Sequence, residues 1–243
     1  MIIGKSTAYG WLMLAGIFLS IVFWSRLARR DERLLKIYFA ALFSAFLGAK
    51  LVYLAAEGWK FWDDPQRWMI WATGKTILGA LLGGYLGVEI AKKLTGYTQP
   101  TGDWFALIAP LGIALGRVGC LVQGCCLGMR CAPGWWTIRD AHGVARWPAV
   151  PVEIGFNLAA VVVFAVLRRR QWLRGQHFHL YLIAYGLFRF GHEFLRATPR
   201  VTGKISGYHF AAIAVAGLGI VGFVRRRHAQ SDSQVGSEVS SFT

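Results

Sequence analysis

Arg117 stands at the end of an apolar segment, in a stretch that runs from Gly116 to Gly128. The apolar run 104–115 before it has the character of a bilayer-embedded segment, which places this arginine at or just inside a membrane boundary. A cation at that depth is costly unless it is paired or faces a polar cavity, so by default it marks a functional site. An anionic ligand would explain the arginine. Gly116 and Gly119 would let a ligand or a neighbouring backbone approach closely.

A second arginine, Arg189, lies in a later apolar segment and is followed by Glu193 and Arg196 at its fourth and seventh positions. This spacing puts all three side chains on one face of a helix. One interpretation is an ion pair that stabilises a buried helix contact. The other is a phosphate clamp, in which Arg189 binds the ligand through two hydrogen bonds and Glu193 orients it. Arg117 at a similar depth favours the clamp, because a lipid phosphate would neutralise the surplus positive charge.

Four cysteines follow one another in the pattern C-x4-C-C-x4-C: Cys120, Cys125, Cys126 and Cys131. The pattern lacks the C-x2-C pairs of structural zinc sites, so it points only weakly to zinc. In a loop outside the cytoplasm disulfides can form, for example between Cys126 and Cys131. Disulfides or inert thiols, a metal site and a reactive thiol stay open as alternatives.

Several other side chains could take part in chemistry. His142, His192 and His209 could each act as a base, although a lone histidine is more often structural. Lys50 can extend to the interface or pair with another group. Tyr9 opens the first apolar segment and could place its hydroxyl at headgroup depth.

Apolar helices must position these side chains. The chain has 243 residues, is 55% hydrophobic and contains 11 Trp and 8 Tyr, which suits a membrane protein with two interfacial belts. Seven apolar segments come near the roughly 20 residues needed to span a bilayer. They cover about 11–24, 37–54, 76–91, 104–120, 152–167, 178–194 and 208–224. The sequence predicts an all-α polytopic membrane protein with about seven transmembrane helices, in a single integral membrane domain over 1–229.

The net charge of +15 comes from basic residues that cluster between the apolar segments. This favours anionic lipid headgroups and topology control over nucleic acid, for which no motif is visible. The basic clusters lie at 26–36, 92–93, 168–174 and 225–227. The positive-inside rule puts them in the cytoplasm, with the N-terminus outside and the C-terminus inside. Residues 230–243 are polar and predicted to form a disordered cytoplasmic tail.

The chain resembles the prolipoprotein diacylglyceryl transferase family over most of these segments. The specific matches are Gly-Arg-Val-Gly at 116–119, which opens the family signature, and the arginine-bearing segment 185–196. The remaining matches lie at 8–10, 47–53, 78–83 and 148–153.

The resemblance implies transfer of a diacylglyceryl group from phosphatidylglycerol to the lipobox cysteine thiol of a secreted preprotein. The products would be a thioether-linked lipoprotein precursor and glycerol phosphate. It also implies an active site that faces the outer leaflet of the bacterial inner membrane. Arg117 and Arg189 would hold the phosphate and stabilise its charge as the thiolate attacks.

We therefore predict three catalytic residues, namely Arg117, Arg189 and Tyr9. The predicted substrate-binding residues are Glu193, Arg196, Gly116, Gly119, Gln123 and Lys50. No cofactor and no metal are expected. The expected partners are phosphatidylglycerol, a preprotein with a lipobox cysteine, and the lipid bilayer, with no nucleic acid.

Polar positions of the family pattern differ in this chain. The family histidine falls on Leu78, which cannot act as a base, and the signature's Asn-x-x-Asn-Gly-Glu falls on Cys120, Gln123, Gly124 and Cys125. We infer a divergent member that keeps the lipid clamp and uses a lipobox cysteine or another nucleophile as acceptor. The alternatives are a non-catalytic phospholipid-binding protein and a membrane redox or metal protein built on the cysteines.

Overall fold

A computed structural model describes residues 10–11, 14, 16–18, 20–22, 24–26, 28–29 and 31–240, with side chains described as far as residue 228. Most of these residues are helical. In chain order the helices are α1 (Gly16–Arg26), α2 (Arg33–Ala56), α3 (Arg67–Thr73), α4 (Ile77–Thr95), α5 (Gly102–Gln123), α6 (Ala149–Arg169), α7 (His177–Glu193) and α8 (Gly207–Ser240). A short 3-10 helix, Gly58–Phe61, connects α2 to α3.

Four helices within the described ranges are long and apolar enough to cross a membrane. They are α2, α5, α6 and the Gly207–His228 part of α8. Helix α7 has 17 residues, which at a rise of 1.5 Å each give about 26 Å, slightly less than a roughly 30 Å hydrocarbon core. Helix α4 has 19 residues but carries charges near its end. The structure supports a multi-pass helical membrane protein, while the number of seven spans stays a prediction.

Glycines bring α2 and α4 into backbone contact, as the small residues of the α4 segment predict. A Cβ added to Gly48 would lie 2.9 Å from the Cα of Gly83, and one added to Gly79 would lie 2.8 Å from the carbonyl carbon of Gly48. Since real Cβ atoms do not approach so closely, these positions admit only glycine at this helix separation. Helix α4 is therefore a tightly packed helix.

The core surrounds α7, which packs on α5, α6 and α8. Tyr181, Leu182 and Tyr185 on α7 have no exposed surface. Gly186 lets α8 approach, because a Cβ there would lie 2.7 Å from the backbone nitrogen of Ala216. The segment that carries Arg189 is thus enclosed by three neighbouring helices, which fixes the direction of its polar side chains.

A small hairpin departs from the all-α prediction. Strands β1 (Ile138–Arg139) and β2 (Ala145–Arg146) pair antiparallel in the loop between α5 and α6. Two-residue strands are too short to give an alternating sequence pattern. Asp140 holds the turn, since its carboxylate accepts hydrogen bonds from Nε of Arg146 at 2.7 Å and from the backbone N–H of Val144 at 3.0 Å. The Arg146 contact, with the backbone donors, lowers the pKa of Asp140.

Helix α8 differs from the prediction for the C-terminal tail. The helix continues to Ser240, whereas composition predicts disorder from residue 230. Composition measures how little apolar surface a segment can bury. It does not account for helix propagation. The apolar span before residue 230 has already nucleated the helix, and the segment 230–240 contains no proline that would stop it.

Candidate functional site

The carboxylate of Glu153, near the start of α6, is the centre of a buried polar network. Its side chain has 0% exposure. One carboxylate oxygen lies 2.8 Å from Nη2 of Arg117 and 3.4 Å from Nη1 of Arg196. The other accepts a hydrogen bond from the hydroxyl of Tyr185 at 2.7 Å. The network joins α5, α6 and α7 with the segment that follows α7.

Glu193, the last residue of α7, holds the second arginine. Nη1 of Arg189 lies 2.6 Å from Oε2 of Glu193, and Nε of Arg196 lies 3.8 Å from the same oxygen. The other oxygen accepts hydrogen bonds from the hydroxyls of Ser206, at 3.0 Å, and Thr198. The contact predicted from the i, i+4 spacing is present. Helix α7 ends at Glu193, so Arg196 reaches the network from beyond the helix.

The network carries more positive than negative charge. Within the part of the chain that the structure describes, three guanidinium groups, those of Arg117, Arg189 and Arg196, share the two carboxylates of Glu153 and Glu193. The Nε atoms of Arg117 and Arg196 are buried there without a hydrogen-bond partner. Buried charge and unpaired donors are both costly. A singly charged anion would balance the network and accept hydrogen bonds from these donors.

A cavity of about 1790 Å³ opens beside the arginines. All three border it, and Gly116 leaves room at its wall, since a Cβ there would meet nothing within 4 Å. Much of the remaining wall is apolar, with residues such as Leu81 from other helices. Drug-sized ligands occupy roughly 300–1,000 Å³. A larger apolar cavity with a cationic side suits a phospholipid, with its phosphate at the arginines and its acyl chains in the body of the cavity.

Two predicted binding residues lie elsewhere. Gln123 is exposed at the end of α5 and is not among the residues that border the cavity. Six helical residues after Arg117 amount to about 240° around the axis, which turns it to another face. Lys50 donates from Nζ to the carbonyls of Trp71, at 2.6 Å, and Ala72. These are free carbonyls of the last turn of α3, which attract a cation.

Of the other predicted site residues, the structure describes Gly119 but not Tyr9, and it adds two residues that were not predicted. Gly119 is buried on α5, two residues and therefore about 200° of helix rotation from Arg117. Tyr9 lies outside the described residues. Glu153 and Tyr185, which were not predicted as site residues, complete the network. A carboxylate at the start of an apolar segment was the available signal for Glu153.

The cysteines differ from the disulfide example predicted for them. All four are free, so the Cys126–Cys131 pairing is wrong for this structure. The sulfur atoms of Cys120, Cys125 and Cys126 instead lie within 4.8 Å of one another. Cys131 is held at the hairpin, where its N–H donates to the carbonyl of Ala145 at 3.2 Å. The three clustered thiols border the same cavity as the arginines.

His192 and His209 have structural surroundings, whereas His142 is exposed in the turn of the hairpin, where its backbone N–H donates to the Asp140 carboxylate at 2.9 Å. Nε2 of His192 accepts a hydrogen bond from Nε1 of Trp147 at 3.1 Å, and its ring stacks on Phe188. Nδ1 of His209 accepts the backbone N–H of Ser206 at 3.0 Å. Leu78, at the position of the family histidine, is 1% exposed in the apolar core. Neither His192 nor His209 borders the cavity, although the hydroxyl of Ser206 links Nδ1 of His209, at 3.1 Å, to Glu193.

Comparison with known proteins agrees with this geometry. The chain matches the family described as prolipoprotein diacylglyceryl transferase over residues 3–225. It is 28% identical to phosphatidylglycerol–prolipoprotein diacylglyceryl transferase 2 of Clostridium perfringens, over 89% of this chain and 90% of the relative. It is 29% identical to the phosphatidylglycerol–prolipoprotein diacylglyceryl transferase of Symbiobacterium thermophilum, over 94% and 92%. With two arginines of the resemblance in one network beside a lipid-sized cavity, the chain belongs to the prolipoprotein diacylglyceryl transferase family.

Proposed function

We propose that this protein transfers the diacylglyceryl group of phosphatidylglycerol to the lipobox cysteine thiol of a prolipoprotein. The observation that carries the proposal is the buried network with one surplus positive charge at the side of a large apolar cavity. The phosphodiester of phosphatidylglycerol has one negative charge and two acyl chains, which match the network and the cavity. The names of the two relatives, phosphatidylglycerol–prolipoprotein diacylglyceryl transferases, give the same donor and acceptor.

The reaction is an alkylation of sulfur. The acceptor thiolate attacks the glycerol carbon that carries the phosphate, and a C–S bond forms as the C–O bond breaks. The electron pair of that bond leaves with glycerol phosphate. Arg117 and Arg189 donate hydrogen bonds to the phosphate oxygens. These bonds stabilise the negative charge that the oxygens gain as the C–O bond breaks. Glu153 and Glu193 hold the two guanidinium groups in position.

The proposal includes the placement of the chain in the bacterial inner membrane. Seven spans would comprise α1, α2, α4, α5, α6, α7 and the apolar part of α8. The N-terminus would then lie outside and the C-terminus in the cytoplasm. The basic clusters support this orientation. The tryptophans of the segment after α2 support placement at a membrane interface, since Trp59, Trp62 and Trp68 are exposed there.

A direct transfer assay tests the function. Purified protein is incubated with isotope-labelled phosphatidylglycerol and a lipobox peptide, and mass spectrometry detects the diacylglyceryl peptide. A peptide with serine in place of the acceptor cysteine is the control. Arg117→Ala should abolish the product, whereas Arg139→Ala, an exposed arginine of the hairpin, should leave it unchanged. An active Arg117→Ala variant would refute the clamp. Bound phosphatidylglycerol with no product would favour the non-catalytic lipid-binding protein.

A further inference from the structure

The chain direction reverses at the end of α5, and this reversal brings three thiols together. Gly124 ends the helix with φ 71°, a left-handed conformation that glycine adopts without strain. The N–H of Cys125 then donates to the carbonyl of Cys120 at 3.1 Å. Cys126 also has a positive φ, of 60°, which is uncommon for a residue with a side chain. The sulfurs of these three cysteines lie within 4.8 Å of one another.

The thiol cluster adjoins the arginine network. Nη1 of Arg117 lies 3.9 Å from Sγ of Cys120. Cys120 is buried, Cys125 and Cys126 are half-buried, and all three border the cavity. The cluster therefore combines an enclosed side, a cation that favours thiolates, and an opening toward the bound substrate.

We propose that Cys120, Cys125 and Cys126 bind one Zn²⁺ ion as three thiolates and leave its fourth position open to the cavity. Tetrahedral zinc with Zn–S bonds of about 2.3 Å needs sulfur separations of roughly 3.8 Å, which small side-chain rotations supply from the observed cluster. Three protein ligands with an open position are the arrangement of catalytic zinc sites, whereas structural sites use four. The complex of Zn²⁺ with three thiolates has one negative charge beside the Arg117 guanidinium, so a bound metal offsets the surplus positive charge of the arginine network before the lipid enters.

The open position fits the thiol of the acceptor, and this role rests on the proposed transferase function. A free cysteine has a pKa of about 8.5, so most acceptor thiols are protonated near neutral pH. A zinc-bound thiol is deprotonated. The chain has Leu78 where the family has a histidine, and neither His192 nor His209 borders the cavity in which the acceptor thiol would lie. The metal would take over the deprotonation.

The chemical step balances without a redox partner. The acceptor thiol binds Zn²⁺ and its proton passes to solvent. The resulting thiolate uses a lone pair to form the C–S bond with the glycerol carbon, while the C–O bond breaks and its electrons leave with the phosphate. The thioether is a weak zinc ligand, so water replaces it and the lipidated product leaves. Zinc stays divalent throughout.

Metal binding is measured without turnover. The full chain is purified in detergent with a reductant, stripped with a chelator and titrated with Co²⁺, whose visible absorption reports tetrahedral thiolate ligation, and then with Zn²⁺. We expect about one ion per chain, the number that a single three-cysteine site takes. Cys126→Ser should weaken binding at least tenfold, while Cys131→Ser, in the same loop but outside the cluster, should not change it. A chain that binds no metal, or one whose binding depends equally on Cys131, would overturn the site.

Two further measurements use the unmodified protein and therefore do not depend on whether a variant folds. In the unmodified protein, Zn²⁺ should protect three of the four thiols from alkylation, with Cys131 modified first, as counted by peptide mass spectrometry. Protection of a different set would overturn the assignment. A lipobox cysteine peptide should shift the Co²⁺ absorption, whereas its serine analogue should not. An unchanged spectrum would overturn the open position. These spectra need no product, so failure of the transfer assay alone would count against the proposed function and not against the metal site.

Discussion

Replacement of Glu153 by glutamine should destabilise the protein strongly, because it removes a buried carboxylate that compensates two arginines. The side chain is fully buried. Its carboxylate compensates the charges of Arg117 at 2.8 Å and Arg196 at 3.4 Å, and it accepts a hydrogen bond from the hydroxyl of Tyr185. Glutamine keeps the size but leaves three guanidinium groups with one carboxylate. Loss of one partner of a buried ion pair typically costs about 3–5 kcal/mol. We therefore expect the free energy of unfolding to fall by an amount in that range.

The assay compares this loss with matched variants. Unfolding of purified protein is followed by circular dichroism during a denaturant titration in mixed micelles. Glu89→Gln is the control, because the side chain of Glu89 is 46% exposed and its pair with Lys92 at 3.7 Å is solvated on that side, so the ion pair should contribute only about 0–1 kcal/mol. Tyr185→Phe removes only the hydrogen bond to the charged group and should cost about 1.5–3 kcal/mol.

The electrostatic cause has its own signature. The glutamine variant has an additional unit of uncompensated positive charge, so phosphatidylglycerol should raise its stability by more than it raises that of the unmodified protein. A neutral lipid with the same acyl chains should not. A Glu153→Gln protein that unfolds like Glu89→Gln, or that gains equally from both lipids, would refute the assignment of Glu153 as the centre of the network.

Three other perturbations test separate parts of the structure. Arg189→Lys keeps the charge but loses the planar fork, so transfer should fall about 10–100-fold, the equivalent of one charged hydrogen bond; full activity would contradict bidentate binding. Gly48→Ala should cost about 1–3 kcal/mol of unfolding free energy by overpacking α2 on α4, whereas Gly155→Ala, which has open space, should cost nothing. Asp140→Asn should speed amide exchange in the hairpin at neutral pH. Because the folded pKa of Asp140 is lowered, its stabilisation is present above its unfolded pKa and is lost as the pH falls through the folded value, so the variant and the unmodified protein should converge in acid.

The sequence allowed the two arginines of the site to be predicted because a charge in an apolar segment is rare and conspicuous. The i, i+4 spacing of Arg189 and Glu193 likewise fixes a contact whenever the segment is helical. Glu153 was missed as a site residue because its partners are distant in the chain. Only the packing of α6 on α5 brings it to Arg117, 36 residues away.

Other differences arise from features that hydropathy does not encode. Gln123 follows the signature pattern in sequence, yet helix rotation turns it away from the cavity. The thiol cluster depends on the left-handed conformations of Gly124 and Cys126, which convert a spacing unlike that of zinc sites into three neighbouring sulfurs. The α2–α4 contact could be anticipated, since glycines in an apolar helix favour close approach.

The single surplus charge of the arginine network also affects how readily the product glycerol phosphate leaves the site. In the network without a bound metal, the phosphodiester that enters has one negative charge and matches the surplus of Arg117, Arg189 and Arg196 over their two carboxylates. Glycerol phosphate is a monoester, and with a second pKa near 6 it has close to two negative charges at neutral pH. The second charge has no counterpart in the buried network and is better solvated by water. Charge matching thus favours the lipid over the spent headgroup, and product inhibition should be weak.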